Sequence, residues 1–361
     1  MNELDTARRT INEIDEQITS LFQRRMEAVR QIAAYKKENG LPIRDPVRES
    51  ALLDRCRRLV TLPGVEGYLV DVMNKIMGVS CSWQESLING RKVAYSGIEG
   101  AYAHIAARAL FPEARYEGFH GFEAAYRAVE NGQVDCAVLP LENSSAGEVG
   151  TVLDLIFSGS LYINQVYNMS IRHALMALPG AQLSDIRTVY SHPQALSQCS
   201  ELIRQHDWTT VECENTAVAA RKIVEAGDSS VAALASPETG TLYGLCPLED
   251  HISNAETNTT RFAVFSRSQN HPPRSSSKSG ASFILVFTVE NKAGALAQAL
   301  NMIGAHGYNM KAVRSRPMKG LPWNYYFYME VDGNITNENG EMLLRELSVV
   351  CDRLKLVGIL S

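Results

Sequence analysis

The sequence predicts a multidomain protein with an all-α N-terminal region, a two-lobed α/β middle and a C-terminal α+β region of ferredoxin-like order. Three observations predict it. Apolar residues recur at helical spacing through the first ninety positions. From residue 91 short apolar runs alternate with helical stretches, which implies open α/β sheets. A Ser- and Pro-rich stretch, SQNHPPRSSSKSG (268–280), then precedes a segment that reads strand-helix-strand-strand-helix-strand. The 361 residues accommodate two or three domains. The boundaries fall at 1–90, 91–267, a linker at 268–280, and 281–361.

The first helix is carried by Leu4, Ile11, Ile14, Ile18, Leu21, Val29 and Ile32. Over residues 4–38 it would be about 50 Å long. A domain of this size does not cover such a helix alone, so an intertwined homodimer is expected, with a dimer of dimers left open. Gly40-Leu41-Pro42 ends it. A second helix covers 46–60, Pro63-Gly64 breaks the chain, and a third covers 66–87. In the middle region strands at 92–97, 114–119 and 135–142 alternate with helices at 101–110, 122–130 and 148–157. A second set begins near 167 and includes strands at 188–192, 209–214 and 231–236, helices at 193–206 and 216–226, and a final strand at 260–267. Two such lobes bind ligands in the cleft between them. The last region places strands at 282–289, 308–317, 323–331 and 354–360, and helices at 294–306 and 338–350.

Composition narrows the function. A net charge of −5 argues against nucleic acid as the main partner. Seven scattered cysteines without a C-x-x-C pair fit reduced thiols and a cytoplasmic location better than disulfides or a metal. The N-terminus has no apolar signal core, and the longest apolar run, FILVFTV (283–289), is too short for a membrane. No cofactor or metal is expected.

The charged residues of the first helices form a pattern. Arg25 and Lys36 lie eleven residues apart, which is about three turns, so they share a face roughly 16 Å apart and can clasp a small dianion. Arg8 lies about 100° off that face, which suits a pocket in a partner subunit. The stretches ARRTINEIDEQI (7–18), LFQRRMEAV (21–29), YKKE (35–38), IRDPVRES (43–50) and SCSWQ (80–84) resemble the all-helical chorismate mutase family. The resemblance implies that Arg25, Arg48 and a partner's Arg8 bind two carboxylates. It places Lys36 and Gln84 on the breaking ether oxygen, Glu49 and Asp45 at the hydroxyl end, and Ser80 in the lining. The pericyclic rearrangement of chorismate to prephenate needs no nucleophile, only a held conformer and charge stabilisation at the ether oxygen.

In the middle region Gly97-x-x-Gly100 follows a strand and opens a helix, whose free amides suit a carboxylate. With VLPLENSSAG (138–147), TVYSHPQAL (188–196), AALASPETGTLYGL (232–245) and NTTRFAVF (258–265), it resembles prephenate dehydratase. The family's functional residues map onto Glu142, Asn143, Gln194 and Thr260. Ala103 departs from the family's serine. The reaction removes carboxylate and hydroxyl from prephenate to give phenylpyruvate. Thr260 is assigned to hydrogen bonding the leaving oxygen, and Asn143, Gln194 and Ser144 to polar positioning. Glu142 is either an acid with a raised pKa or an orienting group. His192 is a candidate proton carrier, though a His before a helix-starting Pro is often structural. Arg261 is a candidate substrate contact.

Gly294, Ala295 and Leu296 open a helix after a strand, and Arg314-Ser315 ends the next strand. These resemble the effector motifs of an ACT domain, which implies phenylalanine as effector. The family's second motif begins with Glu where this chain has Arg314. An Arg beside a zwitterion reverses a charge, so weakened phenylalanine inhibition is expected; the alternative is an Arg314 that points to solvent. Two rivals remain. One is a variant acting on amino-deoxychorismate or arogenate. The other is a two-lobed sensor without catalysis, which would not need Lys36, Gln84 or Thr260.

Overall fold

The computed structural model describes residues 2–254, 257–270 and 280–360. Of the expected linker, residues 271–279 lie outside them. The chain forms two compact units, residues 1–92 with 113–115, and residues 93–112 with 116–361.

The first unit holds α1 (Glu3–Asn39), α2 (Pro46–Leu59) and α3 (Glu66–Asn89). The Asn2 side chain accepts from the Asp5 N–H at the start of α1, and Gly40, at φ 62°, stops it by returning its N–H to the Lys36 carbonyl. Asp45 caps α2 by accepting from the Arg48 N–H, with Pro46 in the first turn. Both helices pack on α3. The buried core is small: Val29, Ala33 and Met77, with Ser80 and Gln84. Leu4, Ile11, Ile14, Ile18 and Leu21 remain 47% to 59% exposed.

The second unit begins β1 (Lys92–Ser96), α4 (Tyr102–Leu110), β2 (Arg115–Phe119), α5 (Phe122–Glu130), β3 (Cys136–Asn143), β4 (Gly147–Glu148), α6 (Gly150–Ser158) and β5 (Tyr162–Ser170). It continues with β6 (Ala174–Ala177), β7 (Thr188–Ser191), α7 (Pro193–Gln198), α8 (Ser200–Gln205), β8 (Thr209–Glu212), α9 (Thr216–Ala226), β9 (Val231–Ala235), α10 (Pro237–Tyr243), β10 (Cys246–Glu249) and β11 (Thr259–Ser266). The last elements are β12 (Ser282–Thr288), α11 (Ala295–Ala305), β13 (Asn309–Pro317), β14 (Tyr325–Asp332), α12 (Glu338–Val350) and β15 (Arg353–Leu360). The single helix expected over 193–206 is two, interrupted at Cys199 (φ −116°, ψ 19°).

Among the described residues one sheet runs β13-β14-β12-β15-β5-β11-β3-β1-β2, with β4 beside β3, and a second runs β10-β6-β9-β7-β8. The chain leaves the first sheet after β5 and returns at β11, so two short crossings join the lobes, as the alternation of elements predicts. The final βαββαβ segment adds to the first sheet, since β15 runs parallel to β5 with Gly358 opposite Ile163. It is therefore not a module on a tether. One face of its strands, with Ile284, Val286, Tyr326, Tyr328 and Val357, shares a core with Tyr126, Leu139, Ile156 and Phe265. The other face, with Phe283, Leu285, Phe287, Met329 and Val331, packs on Ala299, Ile303, Leu343 and Leu347 of its own helices. Strand alternation makes this two-sided burial possible. Among the described residues no helix is long and apolar enough to cross a membrane.

Candidate active sites

In the helical unit a cavity of about 110 Å³ is lined by Arg25, Lys36, Asp45, Arg48, Glu49, Ser80, Cys81 and Gln84 over an apolar floor that includes Val29, Ile32 and Met77. It brings together every site residue expected there from one protomer. Arg25 donates from Nη1 to Ser80 Oγ, and Ser80 donates to the Ile76 carbonyl at 2.7 Å. Lys36 Nζ reaches the Ile43 carbonyl at 2.5 Å. Among the described residues no carboxylate pairs with Arg25, Lys36 or Arg48, although Asp45 and Glu49 line the same cavity; Asp45 is held by capping α2. Three cations so gathered call for an anionic ligand. Gln84 is 6% exposed and donates one amide hydrogen to the Ser80 carbonyl at 3.4 Å, and its Oε1 has no protein partner. Arg8 does not line this cavity.

Between the two lobes of the second unit lies a cavity of about 270 Å³. Apolar walls come from Phe122, Val149, Ile171 and Phe262, and polar groups from Tyr102, Asn143, His173, His192, Gln194, Gln198 and Thr260. The N-terminus of α4 reaches it through Ala101, Tyr102 and Ala103, with no side-chain cap of its own. Gly100, at φ 89°, makes the turn into α4, where an added Cβ would lie 3.2 Å from Leu242 and Thr239 side chains. The Gly100 amide is already used, donating to His104 Nδ1 at 3.1 Å, so the helix-start amides without an intrahelical partner are those of α4 itself.

Cross-strand pairing of β3 with β11 sets Asn143 opposite Thr260. Asn143 Oδ1 accepts from the Ser145 and Ala146 N–H groups, both at 3.0 Å, and from Gln194 Nε2 at 3.1 Å. Its Nδ2 donates to Thr260 Oγ1 at 2.9 Å and to Asn258 Oδ1 at 2.8 Å. The Thr260 hydroxyl therefore accepts from protein and keeps its own hydrogen for another oxygen. His192 Nδ1 caps α7 by accepting from the Gln194 N–H at 3.2 Å. Burial lowers the His192 pKa below the ordinary histidine value, although Glu212 pulls the other way.

Three expectations are corrected. Glu142 precedes Asn143 on β3 and faces away from this cavity, because adjacent strand residues point to opposite faces. It pairs instead with Arg314 Nη2 at 2.6 Å and Arg261 Nη1 at 3.3 Å. Arg261, next to Thr260, follows the same parity and grips Glu330 with two bonds of 3.0 and 2.8 Å. Ser144 is not in the lining; its hydroxyl accepts from the Thr259 N–H at 3.0 Å and pins the loop after β3. Three groups that sequence reasoning missed are His173, Gln198 and Asn258. His173 lies in the connection between β5 and β6 and Gln198 at the end of a short helix, and only folding brings these two to the cavity.

The five residues of the effector motifs divide by face. Gly294, at φ 82°, begins α11, with Ala295 buried and Leu296 packed on the core beneath the helices. Ser315 lies opposite Phe327, on the helix-bearing face. Arg314 lies on the other face, 18% exposed, paired with Glu142 and, at 3.7 Å, with Glu148. It does not point to solvent, which corrects that alternative, and it lies on the face opposite Ser315. Arg316 extends the cluster to Glu148 at 2.8 Å and Asp154 at 3.0 Å.

Comparison with known proteins agrees with this layout. The family described as chorismate mutase type II matches residues 7–85, and the family described as prephenate dehydratase matches residues 93–270. A bifunctional chorismate mutase/prephenate dehydratase from Escherichia coli (strain K12) is 32% identical over 372 residues, spanning 99% of this chain and 96% of its own. A structure described as prephenate dehydratase in complex with L-Phe, from Arthrobacter aurescens, is 27% identical with a TM-score of 0.69 over 75% of this chain and 89% of its own. A structure described as GqqA, a novel type of quorum quenching acylase, is 31% identical with a TM-score of 0.69 over 75% of this chain and 97% of its own. Two family matches in tandem and a relative alike from end to end have one consequence: the chain belongs to the bifunctional chorismate mutase/prephenate dehydratases, converting chorismate to prephenate and prephenate to phenylpyruvate.

Proposed function

We propose that the two reactions run on the two cavities described above, with the following division of labour. In the helical unit Arg25 and Arg48 hold the carboxylates of chorismate, and Lys36 with the free amide hydrogen of Gln84 stabilises charge on the ether oxygen. Glu49 and Asp45 take the hydroxyl end. The exposed stripe from Leu4 to Leu21 supports a homodimer in which α1 of one protomer brings its Arg8 to the other's cavity.

In the second cavity the free hydrogen of Thr260 Oγ1 meets the departing hydroxyl of prephenate. This is the observation that carries the reading, because the Asn143 amide both fixes that hydroxyl and polarises it. The α4 amides hold one carboxylate, and the apolar walls favour loss of the other as neutral carbon dioxide. Gln198 Nε2, buried without a protein partner, supplies a further donor to the substrate. Glu142 is an orienting group on the far face rather than an acid. The acylase activity named for one similar structure needs a nucleophile joined to a base. Here the described hydrogen bonds join Thr260 to Asn143 and His192 to Gln194.

The βαββαβ segment is read as a ferredoxin-like ACT domain and L-phenylalanine as its effector, supported by the ligand of the Arthrobacter protein. Since Arg314 faces Glu142, its charge does not oppose the effector, and inhibition is retained. The enzyme works in the cytoplasm. The deciding experiment follows phenylpyruvate formation from chorismate while L-phenylalanine is titrated in. Falling activity supports this reading, and activity unchanged at saturation overturns the effector assignment.

A further inference from the structure

The hydrogen bonds around the second cavity fix the order of protons from Asn143 through Gln198 to His173 Nε2. Backbone N–H groups can only donate, so the end of Asn143 that meets Ser145 and Ala146 is its oxygen. Its nitrogen then faces Asn258, whose oxygen accepts, and the Asn258 nitrogen must donate to Gln198 Oε1 at 2.9 Å. The same Gln198 oxygen lies 3.1 Å from His173 Nε2, so that ring nitrogen carries a hydrogen. The Tyr102 hydroxyl donates to the Arg172 carbonyl at 2.6 Å and also lies 3.0 Å from His173 Nδ1. His173 is 3% exposed, which disfavours a charged ring and leaves Nδ1 as an acceptor. Two donors thus hold Gln198 Oε1, one from each side. What remains of that amide is Nε2, buried and unpartnered in the cavity lining.

We propose that His173 is a positioning residue of the dehydratase site: its Nε2–H holds Gln198 Oε1 and thereby commits the Gln198 nitrogen to the substrate. Without it only Asn258 holds that oxygen, and the Gln198 amide is freer to turn and offer oxygen, which repels a carboxylate, at the place where a donor is needed. The inference rests on Gln198 being a substrate donor, as proposed above.

The test uses the full-length protein and steady-state dehydratase kinetics with added prephenate, with mutase activity and melting temperature as folding controls. His173→Gln keeps a donor at the Nε2 position, His173→Asn keeps only the Nδ1 side, and His173→Leu keeps neither. The expected order of kcat/KM is wild type, then H173Q within about threefold, then H173N and H173L lower by about tenfold, a span ordinary for one coupled hydrogen bond. In a Gln198→Ala background the same His173→Leu change is expected to cost less than about twofold, because its target is gone. If H173Q and H173N are impaired alike and the loss persists undiminished in the Q198A background, His173 is merely structural and the proposal is overturned. If Q198A alone leaves dehydratase kinetics unchanged, the Gln198 reading itself fails, which is a separate result from the first.

Discussion

Asn143 and Glu142 are neighbours on β3 and serve opposite faces of the sheet: Asn143 holds the Thr260 hydroxyl at 2.9 Å in the inter-lobe cavity, and Glu142 holds Arg314 at 2.6 Å on the face toward the C-terminal strands. The pairing repeats on β11, where Thr260 and Arg261 divide in the same way. The proposed catalytic pair and the inter-region ion pairs are thus two sides of the same two strands, and Arg314 is tied through Glu142 to the residue next to Asn143.

Replacing Thr260 by valine removes the hydroxyl hydrogen and keeps the volume. Dehydratase kcat should fall about 100-fold, the scale of one lost transition-state donor. Chorismate consumption should be unaffected. Parallel assays with chorismate and with prephenate check this, and a loss of both activities would count against separate sites.

Lys36→Ala should produce the opposite split. The cation at the ether oxygen is lost, and mutase kcat should fall by at least about 100-fold. Phenylpyruvate formation from supplied prephenate should be unchanged.

Glu142→Gln separates the orienting role from the acid role. An acid catalyst lost in this way would cost dehydratase kcat about 100-fold or more. An ion-pair partner would cost stability instead. The pairs with Arg314 and Arg261 are partly exposed, so screening reduces the loss to about 1–2 kcal/mol. Thermal melting beside kinetics should show a lowered melting temperature and a kcat within about tenfold of wild type.

Arg314→Glu places a third acid beside Glu142 and Glu148. The expected outcome is a lower melting temperature and a weaker response of the dehydratase to L-phenylalanine, with the effector still bound. Calorimetric titration of L-phenylalanine, run beside the inhibition assay, distinguishes lost coupling from lost binding.

His173 and His192 both have pKa values held below the ordinary histidine value, chiefly by burial. A depressed histidine binds its proton less readily folded than unfolded. Stability from these groups is therefore complete above the unfolded value of about 6.5 and declines as pH falls below it. Melting temperature should drop between pH 7 and pH 5, and His173→Gln should flatten part of that slope.

The sequence by itself determined the order of elements, the helical N-terminal unit, the two-lobed α/β plan and nearly all of the polar residues that line the helical cavity. Arg25 and Lys36 were legible from their spacing on one helix, whereas Arg48, Ser80 and Gln84, on two other helices, were legible only through the resemblance of their motifs. Thr260, Asn143 and Gln194 were legible as residues but not as a geometry. Tertiary structure decided which of two adjacent strand residues enters the cavity, since parity is fixed by what each face packs against. Glu142, Arg261 and Arg314 read as site groups in the chain and proved to be partners of one another across joined strands. It also decided that His173, Gln198 and Asn258 belong together, although they come from three segments separated in sequence. Their meeting rests on long-range pairing of β5 with β11 and on closure of one lobe against the other, which no local propensity encodes.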